Sequence, residues 1–212
     1  MTKFLFVRHG TTTWVDTQLL HGITDVPLNE KGRQQAKATA KALADIKANK
    51  IYSSPLSRSA ETAQIIGKTT GLTPILKKSL VEINFGWLEG KKIRDHDRQD
   101  YGKIVEFFDH HLFNVVRTIS GEPQSRFRAR VTAGWNKILS ENPTGTVIIV
   151  AHSGVINTIL LHLFGKTYLN GNAYHHLNPC SITEINVDTG KGAEMVRLND
   201  LDHLPEDLRW QA

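Results

Sequence analysis

Two apolar runs in this chain each end in a histidine followed by small residues. One is Phe4-Leu5-Phe6-Val7, continuing into Arg8-His9-Gly10. The other runs from Val147 to Ala151 and continues into His152-Ser153-Gly154. Short continuous apolar runs suit strands buried on both faces. In open α/β sheets, ligands bind outside the carboxyl ends of the strands. If the two strands are neighbours, His9 and His152 face one crevice. Gly10, Ser153 and Gly154 would let backbone N–H groups approach an anion there. A helix beginning after His152 would turn its positive end to the same place. Arg8 adjoins His9, and Arg58 falls in the first turn of a helix expected near Pro55. Both guanidiniums could reach the crevice as clamps for a phosphate.

The elements that must position these residues alternate along the chain. Asn29 to Ile46 is rich in helix formers, with Ala36, Ala40, Leu43 and Ala44 on one side. Ile51-Tyr52 is a brief strand. A helix follows, with Ser54 as its N-cap and Pro55 at its first position. Thr73 to Leu76 is a further short strand, and Arg126 to Leu139 a helix. Val155 to Phe164 is an apolar helix. Ile182 to Val187 and Glu194 to Leu198 form a closing pair of strands around Asp188-Thr189-Gly190, and the polar tail after Asn199 is expected to be loosely held. Gly86 to Gly121 breaks the rhythm. It is charged, with His110, His111, Phe107, Phe108 and Phe113, and reads as a mostly helical insertion. The expectation is one α/β domain over residues 1–212, with that insertion at about 86–121.

The strand-end motif resembles a known family. Leu5-Phe6-Val7-Arg8-His9-Gly10-Thr11-Thr12-Thr13-Trp14 is similar to the signature of the histidine phosphatase superfamily, the phosphoglycerate mutase-like proteins. The resemblance continues, in the family's order, through Gly22 to Gly32, Ser53 to Ala63, Glu82 to Gly90, Gly121 to Ser125 and Ala151 to Gly154. It implies a three-layer α/β/α sandwich with a mostly parallel central sheet. It implies that His9 is the nucleophile that takes up the phosphoryl group and that Arg8, Arg58 and His152 complete the phosphate pocket. Glu82 would be the proton donor to the leaving oxygen. Thr12, backbone at Gly22 or Ile23, and Ser153 would also contact substrate. No metal or other cofactor is implied, and the partner is a small phosphorylated substrate.

The residue types suit that chemistry. A neutral imidazole, with a free pKa near 6.5, attacks without a separate base, its other nitrogen oriented by a backbone carbonyl. Two guanidiniums and an imidazolium would neutralise the equatorial oxygens. Glu82 must be protonated to serve as the acid, so its surroundings must raise its pKa. Val15 stands where many members have Asn, and Thr11 where an acidic residue is common. Glu82-Ile83-Asn84-Phe85-Gly86 resembles the phosphatase branch. A 2,3-bisphosphoglycerate-dependent phosphoglycerate mutase is the alternative, with Lys91, Lys92, Arg94 and Arg98 as basic groups for a bisphosphate. A non-catalytic binder of phospho-ligands is a third reading, opposed by the intact set of residues.

Composition narrows the field. The chain has 212 residues, 40% hydrophobic and 22% charged, with a formal charge of +5. That suits an ordinary globular domain. The basic residues are scattered, without the runs or aromatic interleaving of a nucleic-acid binder, so no nucleic-acid partner is expected. No run approaches a membrane span and no leader is apparent, so the expected location is the cytoplasm. Cys180 is alone, which excludes a disulfide framework, and is expected to be inert. The doublets His110-His111 and His175-His176 are poor chelators, because adjacent side chains diverge. His21 stands equally well in the pocket or on a surface loop. Asp25 and Glu61 read as structural, and Phe85 and Trp87 as packing for the insertion. A homodimer is left open, because a buried helix and an interface helix share one apolar pattern.

Overall fold

The structure is a computed structural model and describes residues 1–92, 119–165, 176–188 and 190–210. Its elements are β1 (Thr2–Arg8), α1 (Thr13–Asp16), α2 (Glu30–Ala42), β2 (Lys50–Ser53), α3 (Ser57–Thr70), β3 (Ile75–Leu76), α4 (Gln124–Ser140), β4 (Gly145–Ala151), α5 (Ser153–Phe164), β5 (Ile182–Asp188) and β6 (Gly192–Asp200). The strands make one sheet in the order β3-β2-β4-β1-β5-β6. β1, β2, β3 and β4 run parallel, while β5 and β6 are antiparallel additions at one edge. The fold is the expected α/β sandwich.

Alternation along the central strands assigns each side chain to a layer. Phe4, Phe6, Val147 and Ile149 pack against α4 and α5, where Trp135 lies edge-on to Phe4 at 4.6 Å. Leu5, Val7, Ile148 and Val150 face the other way, onto Ala40 and Leu43 of the α2 region and Ala63 and Ile66 of α3. Both faces are covered, which is why β1 and β4 read as unbroken apolar runs.

The site depends on the register of three strand ends. β1 pairs with β4 so that Arg8 lies opposite Ala151. His9 N–H then donates to Ala151 O at 2.9 Å, and Ser54 N–H to Val150 O at 3.2 Å. His9, His152 and Ser54 therefore leave the sheet side by side.

Two expectations are corrected. Ser54 does not cap α3, which starts at Ser57 with Leu56 as N-cap. The Ser54 hydroxyl is engaged by His152 at 2.9 Å, and Asp25 supplies the missing cap by accepting the Ser57 N–H at 2.7 Å. The tail after Asn199 is not loose. Leu204 is buried against Ala36 and Cys180, and a 3₁₀ turn covers Glu206–Leu208. The expected insertion lies mostly outside the described residues, including Arg94, Arg98, the aromatics Phe107, Phe108 and Phe113, His110 and His111; so do His175 and Thr189. Its ends are described. They meet where Glu122 N–H donates to Asn84 O at 2.8 Å and Trp87 N–H to Ser120 Oγ at 3.1 Å. Phe85 packs on the core, whereas Trp87 is exposed.

Gln35 joins the tail to the loop after β1. It is fully buried; its Oε1 accepts the Thr11 N–H at 2.8 Å and its Nε2 donates to Leu208 O at 2.7 Å. Gln35→Ala orphans both backbone groups. It should cost about 1–3 kcal/mol of stability in urea denaturation, whereas Leu208→Ala, which keeps the carbonyl, should cost less.

Candidate active site

The loop after β1 is built around backbone contact. A Cβ on Gly10 would lie 2.5 Å from Gly32 O, so only glycine lets the loop rest on the start of α2. Gly10 N–H donates to Thr62 Oγ1 at 3.1 Å, and Gly10 O faces His9 Nδ1 at 2.8 Å. A carbonyl only accepts, so Nδ1 carries the hydrogen and Nε2 presents its lone pair. The backbone-carbonyl orienter expected from sequence is present.

His152 caps α5 with extended backbone and sits beside His9, their ring centroids 5.1 Å apart. Ser54 Oγ, which accepts from Leu56 N–H, is 2.9 Å from His152 Nε2. With the serine hydroxyl donating to Nε2, the hydrogen of a neutral His152 is on Nδ1. That atom is buried and has no partner among the described residues.

Arg58 has no exposed surface. Its Nη1 donates to Thr24 O at 3.0 Å and its Nη2 to Gly22 O at 2.7 Å. Burial lowers its pKa to about 10, opposed by the charges of Glu82, Asp25 and Glu89, with Arg8 adding to the lowering. Arg8 donates to Leu177 O. Glu82, also buried, accepts Ile83 N–H at 2.9 Å and Gly154 N–H at 3.0 Å. A Cβ on Gly154 would lie 2.4 Å from Glu82 Oε1. The first-turn amide that sequence reasoning offered to an anion is thus spent on the carboxyl.

Burial raises the pKa of Glu82, against the lowering effect of those two N–H groups, Arg58 and Arg8. It holds the pKa values of His9 and His152 well below the ordinary 6.5, assisted by Arg58 and, more weakly, by Arg8 and the neighbouring histidines. In water a carboxyl ionises before an imidazole loses its proton, so the two are rarely neutral together. The pocket moves both toward the reverse order. Burial moves His152 toward its neutral form as well, against the expected imidazolium, and in that form Nδ1–H is its donor without a partner among the described residues.

Thr12 and Ile23 already have partners in the structure. Thr12 Oγ1 caps α1, accepting from Val15 N–H at 3.2 Å, and lies 3.3 Å from His21 Nε2. Ile23 N–H donates to Glu89 Oε1 at 3.0 Å. Gly22 contributes its carbonyl, to Arg58. Ser153 opens α5, with Asn157 Nδ2 donating to its carbonyl at 2.9 Å. Among the described residues no group of three or more His, Cys, Asp or Glu side chains could hold a metal ion.

The histidine phosphatase superfamily (branch 1) model matches residues 4–201. The chain belongs to this superfamily. An uncharacterized phosphatase, PhoE, from Bacillus subtilis is 28% identical over 165 residues, covering 78% of this chain and 79% of the relative. Phosphoglycerate mutase-like protein 4 of Arabidopsis thaliana is 30% identical over 159 residues, covering 74% and 69%. Among solved structures, the phosphoserine phosphatase of Entamoeba histolytica in complex with phosphoserine aligns at a TM-score of 0.76 with 25% identity, over 97% of this chain and 100% of that one. The superfamily supports a phosphatase or mutase enzyme.

The structure adds further residues to the site and decides between the two places open to His21. His21 enters the pocket between Trp14, 5.2 Å away between centroids, and His9, 6.2 Å away. Burial, with Arg58 and Arg8, lowers its pKa to about 3. Thr62 and Ser54 are buried supports. Their only sequence signal was their place in the Ser53 to Ala63 stretch. Cys180 is buried with its thiol pushed up to about 12 and is inert as expected; its N–H donates to Arg8 O at 3.0 Å. Glu61 pairs with Arg33 at 2.7 Å. His176 stacks on Trp210.

Three histidines with lowered pKa values, His9, His21 and His152, have a consequence for stability. The unfolded chain binds protons below pH 6.5 that the native pocket refuses. Their contribution is therefore whole above pH 6.5 and is lost as pH falls. The expected slope reaches about 1.4 kcal/mol per pH unit for each histidine. Urea denaturation at stepped pH should show it, and His21→Asn should make the slope shallower.

Proposed function

We propose that this chain is a metal-independent phosphomonoester hydrolase that works through a phosphohistidine and accepts small phosphorylated metabolites. The observation that carries the reading is the pairing of a neutral, Nδ1-oriented His9 with a carboxyl, Glu82, whose pKa is raised in the same dry pocket. His9 Nε2 attacks phosphorus, the ester P–O bond breaks, and Glu82 delivers its proton to the leaving oxygen. The Glu82 carboxylate then takes a proton from water as the water oxygen attacks phosphorus. The P–N bond breaks, and phosphate leaves with His9 restored. Arg8, Arg58 and the Nδ1–H of His152 hold the equatorial oxygens, where preorganised charge lowers the barrier.

A cleft of about 480 Å³ borders the pocket. Ile23 and Pro55 line one side, next in sequence to Gly22 and Ser54, and Asn84 lies beyond Glu82. Lys78, Arg126 and Arg130 line it as well. Arg130 is neutralised by Glu122 at 2.7 Å, whereas Lys78 and Arg126 have no ion-pair partner among the described residues. This balance favours a leaving group that carries its own negative charge. A phosphoglycerate mutase on the same scaffold is the competing reading, and the basic cleft is the observation in its favour.

The test is release of inorganic phosphate from a panel of phosphomonoesters with chelator present. Release should resist the chelator and vanish in His9→Ala, and wild-type enzyme quenched during turnover should carry base-stable, acid-labile phosphate. Activity seen only as phosphoglycerate interconversion with added bisphosphoglycerate would favour the mutase. The rate for alkyl phosphates should fall as pH rises through the Glu82 pKa. Glu82→Gln should remove that limb and slow alkyl phosphates by about 10²–10⁴-fold. Arg126→Ala should raise KM by about 3- to 10-fold for substrates with an anionic leaving group and leave p-nitrophenyl phosphate unchanged.

A further inference from the structure

We propose that Glu89 is the positioning residue that keeps the two halves of the pocket, Arg58 and Glu82, in register. The proposal rests on the phosphoryl-transfer reading of the site. Glu89 ends the segment that begins at Glu82, and its carboxylate takes every hydrogen bond it has room for. Oε1 accepts Ile23 N–H and Phe85 N–H, both at 3.0 Å. Oε2 accepts Thr24 N–H at 2.7 Å and the Thr24 hydroxyl. Four donors fill the acceptor sites of the two oxygens.

The donors come from two segments that also pair through backbone at Leu20, whose N–H donates to Lys91 O at 2.8 Å and whose carbonyl accepts the Gly90 N–H at 3.0 Å. Phe85 belongs to the turn that follows Glu82. Ile23 and Thr24 belong to the loop whose Gly22 and Thr24 carbonyls hold the Arg58 guanidinium. That loop has no regular structure, and Ile23, Thr24 and Asp25 are exposed. Packing does little to fix it, so polar tethers set its position, Glu89 on one side and the Asp25 cap of α3 on the other. Close approach also requires Gly22. A Cβ there would lie 2.0 Å from Glu89 Oε1 and 2.8 Å from Ile83 O. The path from clamp to acid thus runs from Arg58 through the carbonyls of Gly22 and Thr24, then Glu89, to the segment bearing Glu82.

A carboxylate suits this position better than an amide. Glutamine has the same shape, yet its NH₂ would face either the Ile23 and Phe85 donors or the Thr24 donors. Glu89→Gln therefore breaks one side of the tether without leaving a hole. Three readouts separate positioning from support of the fold. Calorimetric binding of inorganic phosphate, which needs no turnover, reads the clamp. The kcat for an alkyl phosphate reads the acid, because an alkoxide must be protonated to leave. The kcat for p-nitrophenyl phosphate is the reference, because its leaving group needs little protonation.

In Glu89→Gln, phosphate affinity should fall about 10-fold, the worth of a charge-assisted contact. The alkyl kcat should fall by a further 10-fold or so relative to p-nitrophenyl phosphate. A lowered melting temperature with phosphate affinity and the kcat ratio unchanged would overturn the proposal. Thr24→Val, which deletes only the hydroxyl donor, covers the case in which Glu89→Gln does not fold. It should shift both readouts in the same direction by a smaller factor, and unchanged values would likewise overturn the proposal. If wild-type protein binds phosphate and hydrolyses nothing, the functional reading fails, and the calorimetric arm still decides the role of Glu89.

Discussion

Arg58 carries a positive charge with none of its surface in water. An ion in that position is costly unless its surroundings replace the lost solvent. The carbonyls of Gly22 and Thr24 replace part of it. Glu82 supplies only part of a counter-charge, because the same dryness favours its neutral form. Every other group in the pocket is tuned by this unbalanced cation. It reinforces the effect of burial on His9 and His152, lowering the pKa of both. An anion entering here would complete the balance and meet fixed donors that need no reorganisation.

The scaffold supplies the dryness. The sheet brings three parallel strand ends together, and helices on both faces close the sides. Gly10, Gly22 and Gly154 let backbone or carboxyl oxygen approach where a methyl group would collide. Each of these glycines brings two segments into contact beside a reacting group, so exclusion of water and placement of side chains come from the same packing.

Much of this was legible in the sequence, because its signals are local. The apolar runs ending in His9 and His152 predicted buried strands, and the register makes the two neighbours, the condition for one shared crevice. The helices over Glu30–Ala42, Gln124–Ser140 and Ser153–Phe164 matched their patterns closely. The less legible features are settled by partners far along the chain. Ser54 reads as a helix cap, yet its hydroxyl goes to a histidine 98 residues away. Asp25 caps a helix across 32 residues, and Glu89 reaches across 65 and 66. The polar tail looks loose because its anchors, Gln35 and Lys31, are side chains of another element. The lowered pKa of His152 follows from burial, which residue type alone does not reveal.

The sheet order has a consequence for how the molecule is made. β1 is synthesised before both of its neighbours: β4 and β5 follow only from Gly145 and Ile182, and the Gln35 bridge waits for Leu208. At about 5–20 residues per second, roughly 10 to 40 s pass between synthesis of His9 and of Leu208. For roughly the first 7 to 27 s of it, until β4 follows, Phe4 to Val7 has neither of its sheet neighbours. The residues that make the strand a reliable floor for the nucleophile also make it adhesive in the nascent chain. This protein should therefore depend on sheltering during translation more than its modest size suggests.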